Sequence, residues 1–273
     1  MLLGETNQFP GQTALAASIV TPVDVYLQDQ TSPPIDYYLT NKIQDVTLAA
    51  PVAKESHYIG LAAGHGFTVT PAMFIEIKYI SPTLIRHYQG RVIAVNTNQI
   101  TVMPSLDFDV DPQYIVSAKR VRAGMSQVAG SLIAPIDFDL SPVDGLRYDL
   151  TAISIGMILA NQPDDGKFGD LPALANGMYF GYESPTFLQH IAAVKDNSEL
   201  RLYCGPANVE YTTRSGGTGS YGLSAMREIS GQQNYGVAIR LSTSTDRFYV
   251  SIHDNLTSII QFRMKARGHL VVD

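Results

Sequence analysis

Hydrophobic and polar residues alternate over short stretches of this chain, and alternation with a period of two is typical of half-buried β-strands. Between residues 45 and 122 the alternating stretches are separated by turn residues, among them Ser81-Pro82 and Asn96-Thr97-Asn98. The strands predicted in this region are residues 58–61, 73–79, 88–95 and 99–102. Strands of this length, spaced about ten residues apart, predict a small β-barrel or sandwich rather than alternating strands and helices.

A second strand-rich region begins after a link at residues 123–127. Its predicted strands are residues 131–138, 150–159, 177–182, 199–203, 235–241, 248–252 and 259–264. In one of them Phe248, Val250 and Ile252 fall on the same face. Helical periodicity is weak, and its best stretch is residues 186–194. We therefore predict an all-β fold, with a small β-barrel or sandwich module at residues 39–124 and a larger antiparallel β-sandwich at residues 125–273.

The first 38 residues differ in character from the rest of the chain. They are rich in Thr, Gln, Ser and Pro, and they contain one candidate strand, residues 17–27, with Val20, Val23 and Val25. Such a segment has few residues with which to form a core of its own. It is predicted to be an extended N-terminal arm, which is either a flexible tail or a segment that becomes ordered on another subunit.

The composition favours a folded protein whose surface is partly covered by others. Hydrophobic residues make up 45% of the chain and charged residues 16%, which is below the usual quarter or so and resembles the charge-poor centre of an interface. The net charge of -6 argues against nucleic-acid binding, and the basic run at residues 119–122 is interpreted as a solvated strand end. No signal peptide is evident, and the apolar window at residues 150–160 is too short for a membrane span.

Two segments resemble ligand-binding motifs. Gly217, Gly219 and Gly222 match the letters of a dinucleotide-binding loop, but a polar run precedes them and a strand rather than a helix is predicted to follow, so we interpret them as a Gly/Ser-rich loop. Residues 161–170 carry oxygen ligands that would suit calcium, or alternatively form a plain Pro-Asp-Asp-Gly turn, which is the interpretation we favour. The oxygen-bearing residues are Asn161, Asp164, Asp165 and Asp170.

The other candidates for catalysis or metal binding are two acidic tripeptides, the histidines and the single cysteine. Asp107-Phe108-Asp109 and Asp137-Phe138-Asp139 would each place two carboxylates on one face of a strand, a pair suited to glycoside hydrolysis or to protecting an edge strand, and we favour the edge strand. The histidines show no metal-binding spacing, and Cys204, the single cysteine, is expected to be a buried apolar residue. We assign no catalytic, cofactor-binding or metal-binding residue, and we predict that the protein is not an enzyme. The histidines are His57, His65, His87, His190, His253 and His269.

Several segments together resemble structural proteins of tailed-bacteriophage virions. In the first module these are residues 59–67, 74–77, 88–95 and 98–102, and farther along they are residues 165–170, 174–178, 235–241, 253–257 and 268–273. The similarity covers most of residues 40–273 and consists of several short segments rather than one diagnostic motif. Pro71-Ala72-Met73 departs from it, because such modules carry a glycine before the strand that follows.

The resemblance implies a virion component of the tail or baseplate, assembled in the host cytoplasm, with no catalytic residues to carry over. The partners it implies are further copies of the chain in a cyclic homo-oligomer and other tail, baseplate or neck proteins. The alternatives are a capsid decoration, neck or receptor-contacting protein and, less favoured, a glycan-cleaving enzyme that uses Asp137, Asp139, Asp164 or Asp165.

Overall fold

The computed structural model describes residues 34–63, 69, 72–122, 128–161, 163–185, 187–204, 209–213, 221–228 and 239–272. Within these ranges the fold is almost entirely β, as predicted, and all the strand pairings are antiparallel. No helix in the described part of the chain is long and apolar enough to cross a membrane.

Eighteen strands and one short helix are described. The strands of the first half are β1 (Pro34–Tyr38), β2 (Asn41–Val46), β3 (Tyr58–Gly60), β4 (Phe74–Ile80), β5 (Ile85–Asn96), β6 (Gln99–Met103), β7 (Val116–Arg120), β8 (Ile136–Leu140) and β9 (Leu146–Leu159). The remaining elements are β10 (Lys167–Phe168), β11 (Leu171–Pro172), β12 (Met178–Ser184), β13 (Phe187–Val194), α1 (Asn197–Cys204), β14 (Val209–Thr213), β15 (Tyr221–Glu228), β16 (Ile239–Leu241), β17 (Arg247–Ile252) and β18 (Gln261–Val272).

The first module is a six-stranded sheet in the order β2-β7-β4-β5-β6-β3. Its hairpins join strands at turns that the sequence predicts, including the one between β5 and β6. One face encloses an apolar core, in which Ile75, Ile77, Val92 and Ile100 are fully buried. Each such side chain contributes roughly 1.5–3 kcal/mol by leaving water, so burial of this core stabilises the module.

The second module is a sandwich of two sheets. One has the order β14-β15-β9-β18-β1 with β16 also pairing with β9, and the other has the order β13-β12-β17-β8. The core between them takes residues from both, among them Phe138, Phe180, Phe248 and Phe262, all fully buried. Phe248, Val250 and Ile252 lie on the core face of β17, which confirms the alternation predicted for that strand.

The strand β1 lies within the range predicted for the N-terminal arm. It pairs with β18 from Pro34↔His269 to Tyr38↔Lys265, and its Ile35 is buried in the core of the sandwich. The end of the predicted arm is therefore an edge strand of the second module, although it precedes the first module in the chain. The rest of the arm, including the predicted strand at residues 17–27, lies outside the described residues.

One predicted element was wrong in type, and the weak helical stretch before it is not a helix. Residues 186–194 were the best helical stretch, but Phe187–Val194 is a strand that forms a hairpin with β12, because cross-strand pairing outweighs a weak helical periodicity. Residues 199–203 were predicted as a strand and belong to α1. Asp196 caps this helix by accepting a hydrogen bond from the Glu199 amide at 2.8 Å, and the Asp-x-x-Glu spacing was a capping signal in the sequence.

Candidate functional site

The main candidate site is a groove of about 380 Å³ on the outer face of the four-stranded sheet. Because side chains alternate along a strand, the residues between the core positions of β8, β12 and β17 point outward into it. We call it the Arg247 groove. Its lining residues are Pro135, Asp137, Tyr179, Glu183, Leu188, Arg247, Tyr249, Ser251 and His253.

The Arg247 guanidinium organises the acidic side of this groove. Its Nε lies 2.6 Å from Glu183 Oε2 and its Nη1 lies 2.9 Å from Asp137 Oδ2 and 3.8 Å from Asp139 Oδ2. Burial alone would lower the pKa of Arg247, but its hydrogen bonds to Glu183 and Asp137 outweigh burial and raise it. The carboxylates are therefore held by a permanent positive charge.

A tyrosine ring lies flat on the sheet beneath this ion-pair network. The Arg247 guanidinium carbon is 4.7 Å from the centre of the Tyr249 ring, within the range of a cation–π contact. The ring crosses Gly181 on the neighbouring strand, where an added Cβ would lie only 2.4 Å from the ring. Glycine at this position lets the ring approach the backbone, so the floor of the groove depends on it.

The opposite end of the groove is formed by Tyr179, Ser251 and His253. The Ser251 hydroxyl and His253 Nε2 are 3.1 Å apart, and the Tyr179 ring meets the His253 ring edge-on at 4.7 Å. His253 Nδ1 is buried, and no described residue forms a hydrogen bond with it. This end of the groove therefore offers hydrogen-bonding groups of modest polarity, in contrast to the charged end around Arg247.

An exposed apolar rim borders the groove. Immediately before Pro135, a tight turn joins Ser131 and Ala134 through paired backbone hydrogen bonds of 3.1 and 3.2 Å. At its tip Leu132 is 63% exposed and Ile133 is 94% exposed, and Leu188, which lines the groove, is 56% exposed. This edge of the groove therefore exposes large aliphatic side chains to water.

The structure brings only one of the predicted acidic pairs to this groove. Asp137 and Asp139 lie on β8, the edge strand of its sheet, and Phe138 points into the core, as the alternation predicts. Burial raises the pKa of Asp139 against the pull of Lys119 and Arg247. The other pair does not lie on a strand, and its Asp109 accepts a hydrogen bond from the Lys54 amide at 2.8 Å.

The acidic turn at residues 161–170 uses its carboxylates internally. Asp170 Oδ2 accepts hydrogen bonds from the amides of Ala160 at 2.9 Å and Asn161 at 3.2 Å, and Asp164 Oδ1 accepts one from the Gly166 amide at 3.0 Å. Within the described ranges, no group of three or more His, Cys, Asp and Glu residues gathers at a metal-binding distance.

Five further candidates fall wholly or partly outside the described residues. Gly217 and Gly219 are not described, while the predicted strand after them is β15. His65 is not described, and for His190 and Cys204 the side chains are not. The predicted strand at residues 235–241 is described only at its end, as β16.

A buried polar cluster at the junction of the two modules was not predicted. We call it the Glu76 cluster. Glu76 Oε1 lies 3.1 Å from Lys119 Nζ, and Oε2 lies 3.4 Å from His87 Nε2. His87 Nδ1 is 2.6 Å from the hydroxyl of Tyr148, a residue of the second module. The solvated strand end predicted for residues 119–122 is therefore wrong at Lys119, which is only 8% exposed, because the second module covers it.

Burial and charge act against each other in this cluster. Burial would raise the pKa of Glu76, but the His87 ring and the ammonium groups of Lys119 and Lys78 together lower it below the usual range. Burial lowers the pKa of His87 and outweighs the attraction of Glu76. The ring is therefore neutral at pH 7, and Glu76 and Lys119 form a charged pair.

Two more contacts connect the modules beside the cluster. The Gln89 side chain accepts a hydrogen bond from the Tyr38 amide and donates one to the Tyr38 carbonyl, each at 2.9 Å. Lys78 Nζ donates a hydrogen bond to the Ser141 carbonyl at 3.0 Å. Polar bonds thus fix the relative position of the modules.

No protein-family model, curated protein or solved structure matches this chain.

Proposed function

We propose that this chain is a structural component of a tailed-bacteriophage particle, in the tail or baseplate, that assembles with further copies of itself and with neighbouring tail proteins. The apolar rim beside the Arg247 groove carries the proposal. Ile133 is 94% exposed and Leu132 63% exposed at the tip of a hydrogen-bonded turn, so a contact there buries apolar surface at little conformational cost. The phage assignment itself derives from the sequence resemblance.

The groove complements the rim as a docking surface. An apolar contact supplies affinity without direction, whereas ordered charges and hydrogen bonds set the register of a partner. Arg247, Asp137 and Glu183 form such an ordered set, and they are about one-third exposed, so a partner can reach them. Because both carboxylates already bind the guanidinium, we propose a recognition role for them rather than a catalytic one.

The open edges of the sandwich support self-assembly in the same way. β8 is the last strand of the four-stranded sheet. Among the described residues its outer side meets Thr40, through an isolated bridge to Asp139, and Asn41, whose side chain donates a hydrogen bond to the Asp137 carbonyl at 3.0 Å. β13 is the strand at the opposite edge. Unpaired strand edges next to an apolar rim permit a neighbouring subunit to continue the sheet.

The first test examines the particle. Quantitative mass spectrometry of washed virions from the phage that encodes the chain is expected to find several copies per particle. Cryo-microscopy of the same particles would then distinguish the tail or baseplate from the capsid surface, the neck or a receptor-contacting position. Detection of the chain in infected-cell lysate but not in washed virions would refute the proposal.

The second test examines the surface. The variant Ile133→Asp places a charge in the rim, and we expect it to reduce the oligomeric mass measured by sedimentation velocity and to prevent incorporation into particles. The control is Ile115→Asp, since Ile115 is 64% exposed in the first module, away from the groove. Equal behaviour of the two variants would show that the rim has no special role.

A further inference from the structure

A second concave site, with different chemistry, lies where the two modules meet. Its volume is about 430 Å³. The first module contributes Phe74, Arg91 and Arg122, the second contributes Gln261 and Arg263, and Tyr38 lies at the end of β1. We call it the arginine pocket. The sequence does not reveal it, because its three arginines come from β5, from the residue that follows β7 by two positions, and from β18.

The pocket concentrates positive charge in an acidic protein. The net charge of the chain is -6, yet every charged residue that lines the pocket is an arginine. In the described part of the chain, no carboxylate lies within ion-pair distance of Arg91, Arg122 or Arg263. Burial, and then the charges of Arg91 and Arg263, lower the pKa of Arg122, so both of these arginines lie close enough to act on its charge.

The neighbouring positions on the same strand show how such charges are otherwise balanced. Lys265 and Arg267 follow Arg263 on the same face of β18, and both lie beside Asp36, at 2.7 and 3.4 Å. Asp36 is on β1, opposite Arg267 in the sheet. The strand thus neutralises two of its basic residues internally and leaves the third, Arg263, directed at the other two arginines.

The remaining walls suit an organic ligand. Tyr38 and Phe74 meet edge-on at 5.0 Å, and together they form an aromatic wall next to the arginines. Gln261 adds a neutral hydrogen-bonding group. The Arg263 side chain crosses Gly156 on the adjacent strand, and its Nε lies 3.8 Å from where a Cβ would be, which is an ordinary contact distance.

We propose that the arginine pocket binds a small ligand with at least two oxyanion charges, either a phosphate ester or a polycarboxylate. Guanidinium groups match the geometry of phosphate and carboxylate oxygens and bind them in a bidentate manner. The pocket volume is within the range of small-ligand sites. An extended nucleic acid is not the expected ligand, since it would need a long basic surface and the protein carries net negative charge.

The test measures binding of pyrophosphate and citrate by calorimetry, with inorganic phosphate, which has a single anionic group, as the comparison. All titrations are made at one ionic strength, because general screening would otherwise resemble binding. We expect saturable binding, with pyrophosphate or citrate bound more tightly than phosphate. Preference for pyrophosphate indicates a phosphate ester as the natural ligand, and preference for citrate indicates a polycarboxylate.

Variants assign the binding to the pocket. Arg122→Gln and Arg263→Gln are each expected to weaken binding by about tenfold or more, the loss of one charge-assisted contact. The control is Arg86→Gln, because Arg86 is an exposed residue of the same strand as Arg91 and does not line the pocket. Without anions, Arg122→Gln should melt no lower than the wild type, since it relieves repulsion, and this separates lost binding from lost folding. Absence of saturable binding to the wild type, or equal weakening by Arg86→Gln, would overturn the proposal.

Discussion

The Glu76 cluster predicts an unusually large effect for a change of one atom. The variant Glu76→Gln keeps the shape of the side chain and removes its charge, which leaves Lys119, at 3.1 Å and only 8% exposed, without its closest counter-charge. Removal of one partner of a buried ion pair costs about 3–5 kcal/mol, because the remaining charge is neither hydrated nor compensated. We expect a loss of this size in the free energy of unfolding.

Two further variants separate the charge effect from packing. Lys119→Met removes the other partner, and the double variant Glu76→Gln/Lys119→Met leaves no buried charge of this pair. We expect the double variant to be about 1–3 kcal/mol more stable than the sum of the single losses predicts. The control is Lys42→Gln, which breaks an ion pair of 2.7 Å whose side chains are about half exposed, and it should cost about 0–1 kcal/mol.

The assay is urea unfolding followed by far-UV circular dichroism at a fixed protein concentration, since the chain has no Trp to serve as a fluorescent probe. We expect the buried pair and the exposed pair to differ clearly in the free energy of unfolding that they contribute, although their atoms are at similar distances. If Glu76→Gln and Lys42→Gln cost the same, or if the single losses add in the double variant, then Lys119 is not confined by the second module.

Two other properties follow from the packing around buried groups. The free energy of unfolding should fall as the pH is lowered from 7 to 5, because burial lowers the pKa of His87 in the folded protein. In the unfolded chain this histidine has a pKa of about 6.5 and takes up the proton more readily. Below about pH 4.5 the lowered pKa of Glu76 acts in the same direction. When the free energy of unfolding is measured by chemical denaturation at each pH, its dependence on pH between 5 and 7 should be weaker for His87→Gln than for the wild type. An unchanged pH dependence would exclude His87 as the cause. Gly268→Ala should lower the free energy of unfolding by about 1–3 kcal/mol, because its Cβ would lie 2.0 Å from the Asp149 carbonyl oxygen. Gly156→Ala, whose Cβ would have its nearest contact at 3.8 Å, should be close to neutral. Thermal melts that show equal effects of the two variants would contradict this.

The fold could be predicted where the determining information is local. Alternation along β17 and the turns that join neighbouring strands are properties of a few consecutive residues, so the all-β class and the position of Phe138 between two outward carboxylates follow from sequence alone. Residues 186–204 show the limit of that approach. The periodicity there is weak, and the hairpin pairing of β13 with the preceding strand β12 decides the outcome for residues 187–194.

The Glu76 cluster could not be predicted because alternation identifies the face of a residue and not what covers that face. Glu76 stands between Ile75 and Ile77 on β4, and the alternation places it on the side opposite the core, where solvent is expected. The second module packs on that side and buries it. Tyr148, which reaches His87, is 61 residues away in the chain, so no local pattern connects them.

The contact between the modules treats buried charge differently at the Glu76 cluster and at the arginine pocket. Where the modules close on each other, at the Glu76 cluster, the buried charges have counter-charges supplied by the chain itself. Where they remain open, at the pocket, Arg91, Arg122 and Arg263 face one another with no carboxylate lining the site. A chain that places Asp36 beside Lys265 and Arg267 on the same strand has the means to neutralise Arg263 as well. Three neighbouring arginines without a carboxylate among them are explained if an anion from outside the chain completes the site.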